Sequence, residues 1–197
     1  MRPSLPSGVT LGQFTAAFAP FGLLLSAALL WPESTQSLDL YRTKATILAA
    51  SALLIPAFAL YPFAMLSTRV ANLAHLFWTF AYLTFLVHAF WAVFIVFHGV
   101  ADTFKEMGTL IAGMNFLLLI WWGIEVVLLW TVRHVSHGFA VFQWATRTFV
   151  FLVFAVTLLF LRATPPARLL GIALVVATLG ALVISRWAGA RANEQAA

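Results

Sequence analysis

The sequence predicts an all-α fold: a polytopic integral membrane protein with about six transmembrane helices in one bundle, a single domain over residues 1–197. Three observations predict it. Only 9% of the residues are charged and 63% are hydrophobic, where a soluble domain carries about 25% charged and about 45–50% apolar residues. Mean hydropathy is +0.99. Third, the apolar residues fall into six runs, each near the roughly 20 residues that a helix needs to cross about 30 Å of hydrocarbon. So few charges cannot cover a water-soluble surface.

The first run, residues 9–31, ends at the polar turn Pro32-Glu33-Ser34. One Arg precedes it, it is longer than a signal-peptide core and it lacks a small-x-small cleavage site, so it reads as a retained span. Pro20 interrupts its backbone hydrogen bonding, and Gly22 with Ser26 forms a small-x-x-x-small pair that could let two helices approach closely. The second run, residues 45–66, carries Pro56 and Pro62, each expected to kink it. The others cover residues 71–99, 108–132, 139–161 and 169–187. The connections are short, which excludes soluble-domain catalysis and large ligand-binding ectodomains.

Orientation follows from loop charge. Six spans put Arg2, Arg69, Arg133, Arg186 and Arg191 on the side of the termini, and Arg42, Lys44, Lys105, Arg162 and Arg168 on the other. Arg147, about two turns into the fifth span, tips the balance if it snorkels to the terminal side. The expectation is a bacterial inner (cytoplasmic) membrane with both termini cytoplasmic. Nine Arg against two Lys, with abundant Ala and Leu, suits a GC-rich bacterial gene. The net charge of +5 is accounted for by these loop charges, and the basic residues do not cluster as nucleic-acid binding requires. Without cysteine there is no disulfide, thiolate metal site, iron–sulfur cluster or covalently attached haem. Phosphate-loop, nucleophile-elbow and His-Glu-x-x-His motifs are absent from the sequence.

Polar groups at membrane depth cost several kcal/mol unless partnered, so they are where function is sought. The third span contains a short repeat, His75-Leu-Phe-Trp78 and His88-Ala-Phe-Trp91. Thirteen residues separate the imidazoles by about 20 Å along the axis and turn them about 140° apart, so they cannot share one metal ion. His75 could instead face His134 or His137 across the bundle, the arrangement that bis-histidine ligation of a b-type haem requires. These three and His88 are the candidate cofactor-binding residues. Interfacial histidines meeting water and headgroups are the simpler reading of His134 and His137.

Glu125 is the acidic residue deepest in a span. An isolated ionised carboxylate there is untenable, so it should meet a polar partner, with Arg147, His75 and His88 as candidates. The pair with Arg147 could be purely structural, or the group could relay protons. Asn115, about three turns earlier, could add a second polar group. On the expected periplasmic side, His98, Asp102 and Glu106 are spaced i, i+4, i+8, one helical face that could hold a divalent ion if the third span continues outward.

Three functions compete. One is a small inner-membrane subunit of a larger complex, not catalytic on its own, packed by eight Trp and nineteen Phe against lipids and other subunits, and carrying electrons if haem is bound. Another is a proton- or cation-coupled transporter or channel using Glu125 and His88. The third is a membrane metalloenzyme at His98, Asp102 and Glu106.

Overall fold

The computed structural model describes residues 5–6, 8–31, 37–161 and 164–196, with backbone alone over 189–196. Arg2 and Arg162 of the orientation count, and the Pro32-Glu33-Ser34 turn, lie outside the described residues, as does the side chain of Arg191.

The described chain is helical throughout, without strands. Helix α1 spans Leu11–Leu30. Helix α2 spans Leu38–Leu60 and tightens into a 3-10 turn over Tyr61–Phe63; α3 spans Thr68–Phe90 and widens into a π-helical segment over Trp91–Val96. A short α4, Val100–Met107, precedes α5, Thr109–Thr131. Helix α6 spans His137–Val156 with a π segment over Thr157–Leu161, and α7 spans Pro165–Ala196. Six helices are long and apolar enough to cross a membrane: Leu11–Leu30, Leu38–Phe63, Thr68–Val96, Thr109–Thr131, His137–Leu161 and Pro165–Ala188.

Local chemistry sets several boundaries. Thr10 closes a capping box on α1: its hydroxyl accepts from the Gln13 amide at 3.3 Å while the Gln13 side chain accepts from the Thr10 amide at 3.0 Å. Ser67 and Ser136 cap α3 and α6 more simply, each hydroxyl accepting one backbone N–H, from Arg69 and Phe139 respectively. The second helix starts seven residues before the expected position 45, because Asp39 in its first turn suits the positive end of the helix dipole. Arg42 and Lys44, which break the apolar run in sequence, sit in that same helical start.

Pro20 and Pro56 lie inside α1 and α2, whereas Pro62 sits in the 3-10 turn, where its missing N–H is tolerated. Gly22 makes no close helix contact: nothing lies within 4 Å of where its Cβ would be. The buried residues of α1 are instead Ala17 and Ala28.

Helix α2 packs against α1, α3 and α7; α3 packs on α5, α5 on α6, and α6 with its π segment on α7. The five helices α2, α3, α5, α6 and α7 therefore form a closed ring, and α1 leans on it from outside against α2 and α3. Between helices in lipid the hydrophobic effect supplies no net drive, so close van der Waals fit must do so. The two helices in most extensive contact, α2 and α3, both have small residues among their buried positions: Ala49, Ala50, Ser51 and Ala57 on α2, and Ala71, Ala74 and Ala81 on α3. The ring interior holds Trp78, Phe85, Trp122, Val150 and Phe154, all buried.

Candidate functional site

Inside the ring, toward the face where α2 ends and α3 and α6 begin, four helices bring charges together. Trp78 of α3 donates its indole N–H to Glu125 Oε2 of α5 at 2.5 Å. Arg147 of α6 places Nη2 3.5 Å from Glu125 Oε1 and the same nitrogen 3.4 Å from His75 Nδ1 of α3. The guanidinium carbon stands 3.6 Å from the centroid of Tyr61, at the end of α2, and 5.3 Å from that of Trp78. One cation is thus stacked on a phenol ring and shared between a carboxylate and an imidazole.

The helical register produces this arrangement. His75 and Trp78 are three residues apart on α3, so they share a face. Gln143 and Arg147 are one turn apart on α6 and share another. Both His75 and Glu125 are fully buried, and Arg147 nearly so. The expected snorkelling of Arg147 to the membrane edge is therefore not what the structure shows; an acidic partner at its own depth holds it inside. Gln143 is fully buried and stands beside Glu125 without completing a hydrogen bond.

A second centre of the same composition lies at the opposite end of α3. Trp91 donates its indole N–H to Asp39 Oδ1 at 3.3 Å. Arg42 pairs with the same oxygen at 3.6 Å and lies 5.5 Å from the Trp91 ring centroid. Its Nε donates to the Leu29 carbonyl at 3.1 Å, tying the end of α1 to the start of α2. His88 Nδ1 meets the Thr43 carbonyl at 2.8 Å. Each His-x-Phe-Trp unit of the sequence therefore supplies the Trp of an acid–arginine centre, with its His alongside.

The other candidates are dispersed. His134 and His137 are exposed at the α5–α6 connection, while His75 is buried against Arg147. His88 belongs to the Asp39 end of α3 and not to the Glu125 centre. Asn115 is exposed on α5 and does not join Glu125. His98, Asp102 and Glu106 do not share one helix: the third span ends at Val96, and His98 (φ 61°) and Gly99 (φ 143°) turn the chain before α4 starts at Val100. Among the described residues no group of three or more His, Asp or Glu is placed to hold a metal ion.

Trp78, Tyr61 and Gln143 were not singled out by sequence reasoning. For Trp78 the signal was present, since the repeat that flagged His75 contains it. Gln143 at i−4 from Arg147 was a weaker one. Tyr61 had none, because its role depends on how α2 ends. Tyr82 also escaped notice; its hydroxyl crowds the position that a Cβ on Gly123 would take. Searches against protein-family models, curated proteins and solved structures find no match to this chain.

Proposed function

We propose that this chain is a multi-span protein of the bacterial inner membrane that moves protons through Glu125 and His75 with Arg147 as the cation shared between them, either alone or as the membrane subunit of a complex. The observation that carries the reading is the sharing of one guanidinium nitrogen: Arg147 Nη2 is 3.5 Å from the carboxylate and 3.4 Å from the imidazole. A structural ion pair requires one acid and one base. Here a third ionisable group competes for the same cation.

The competition gives a two-state element. With Glu125 ionised, Arg147 is held by opposite charge. A proton on Glu125 removes that charge and leaves the guanidinium to the neutral imidazole. A proton on His75 repels it back toward the carboxylate. Proton position and side-chain position are then coupled, which is what a proton-driven conformational step needs. His75 takes the place of His88 in this reading because His88 lies at the other end of α3.

The test needs no knowledge of a transported solute. Trp78 donates to Glu125, so titration of the carboxyl should change indole fluorescence. The full-length protein in lipid vesicles should show a pH-dependent fluorescence step that disappears in both Glu125→Gln and Trp78→Phe. Potential-driven proton flux into the same vesicles should fall about a hundredfold in folded Glu125→Gln, the scale on which one proton-transfer group acts. Unchanged flux and an unchanged fluorescence step in Glu125→Gln would overturn the reading.

A further inference from the structure

Gln143 is the most polar fully buried side chain that the acid–arginine pair leaves unused. Its amide offers two N–H donors and a carbonyl acceptor, and neither Nε2 nor Oε1 has a hydrogen-bond partner among the described residues. Two neighbouring atoms share that condition: Arg147 Nε, one helical turn further along α6, and Glu125 Oε1 beside the amide, which meets Arg147 only at ion-pair distance. Trp122 Nε1, one turn before Glu125 on α5, is a fourth. Three of these buried polar side chains, Gln143, Arg147 and Glu125, are neighbours, and each brings an unsatisfied donor or acceptor to the centre. Leaving any one such group unsatisfied costs about 1–3 kcal/mol. A partner shared among Gln143, Arg147 Nε and Glu125 Oε1 would remove that cost.

We infer that Gln143, Arg147 Nε and Glu125 Oε1 hold a water molecule between α5 and α6. The donor set fits one. A buried water makes about three hydrogen bonds to groups that the protein leaves unsatisfied, and it both donates and accepts. Arg147 Nε donates to it, Glu125 Oε1 accepts from it, and the Gln143 amide can do either. An anion would meet the charge of Glu125 at once, and a metal ion would meet that of Arg147, so an uncharged guest suits both.

The position adds to the proton-handling reading and rests on it in one respect. Gln143 lies six residues into α6 from His137, hence about 9 Å along the axis from the exposed α5–α6 connection. The water extends the centre toward that face, making it the side from which Glu125 exchanges protons.

Solid-state NMR of the full-length protein in lipid bilayers tests this. With ¹⁵N-labelled glutamine, the Gln143 side-chain amide, assigned by its loss in Gln143→Leu, should show a cross-peak at the water proton frequency. With ¹⁵N-labelled arginine, Arg147 Nε should show the same cross-peak, lost in Gln143→Leu. The first measurement is made on the unaltered chain, so a Leu variant that fails to fold leaves it standing, with Gln143→Met providing the assignment. A Gln143 amide lacking a water cross-peak, or showing one to lipid protons instead, would overturn the inference. That outcome differs from failure of the proton reading, in which the Glu125→Gln fluorescence and flux tests show no change while the water cross-peak persists.

Discussion

Each end of α3 joins an acid, an arginine and a tryptophan at nearly the same distances. Glu125 and Arg147 are 3.5 Å apart, Asp39 and Arg42 3.6 Å; a Trp indole donates to each acid, and each guanidinium lies between 5 and 6 Å from that Trp. What differs is solvent. The Glu125 and Arg147 side chains are 0% and 7% exposed, those of Asp39 and Arg42 54% and 29%. Equal geometry therefore does not mean equal energy. An exposed ion pair contributes about 0–1 kcal/mol, because water and salt serve each charge almost as well. In a buried pair water offers neither charge an alternative, so breaking it costs about 3–5 kcal/mol even where forming it gained little. The end that can fasten α1 to α2 at low cost is a clasp, and the end that cannot release a charge without rearrangement is suited to switching.

The sharpest way to break this comparison is to remove one cation from each end. Arg147→Ala should destabilise by about 3–5 kcal/mol in reversible unfolding from mixed micelles, while Arg42→Ala should lose about 1 kcal/mol or less from its ion pair. Similar losses in both would show that burial does not separate the two ends. The double variant Glu125→Leu with Arg147→Leu should recover most of the deficit of Arg147→Ala, because no buried charge is then left alone. Should it be as unstable as the single variant, the cost lies in lost packing on Tyr61 and not in charge.

Next in size is the indole pair. Trp78→Phe removes a hydrogen bond to a buried charged acceptor, an expected loss of about 1.5–3 kcal/mol. Trp91→Phe removes one to an acid in contact with water and should cost under about 1 kcal/mol by the same unfolding measurement. A comparable effect comes from packing alone: a methyl group at Gly123 would meet the Tyr82 hydroxyl and ring, so Gly123→Ala should cost about 1–3 kcal/mol, relieved in part by Tyr82→Phe and more fully by Tyr82→Leu. The smallest effect sharpens the contrast further. Raising salt from about 0.1 M to about 1 M shortens the screening length from about 10 Å to about 3 Å. The stability difference between Asp39→Asn and the unaltered chain should shrink over that range, while that of Glu125→Gln should stay constant.

Much of this was legible in the chain. The six spans follow from apolar run length, and their ends were read to within a few residues except at α2. There Arg42 and Lys44 hide a helical start that hydropathy alone rejects. Glu125 and Arg147 could be paired because two opposite charges at equal depth on consecutive antiparallel spans have little else to meet. The His98, Asp102 and Glu106 face depended on the third span continuing past Gly99; the span ends at Val96, and His98 and Gly99 take positive φ instead. Gly22 invited a close contact by its size, but nothing lies within 4 Å of where its Cβ would be.

Composition and periodicity by themselves determined that this is a helical membrane bundle, because the water-to-lipid transfer of a 20-residue segment depends on what it contains and hardly on its neighbours. They also determined that the polar residues inside it need partners. Apart from the Glu125–Arg147 pair, which partner each one has was decided by the tertiary structure. The order of helices around the ring, and the rotation of each about its axis, sum over many small van der Waals contacts; a change of about 100° per residue moves a side chain from one neighbour to another. That rotation gives His75 to Arg147 and His88 to the Thr43 carbonyl, two fates for one repeated motif.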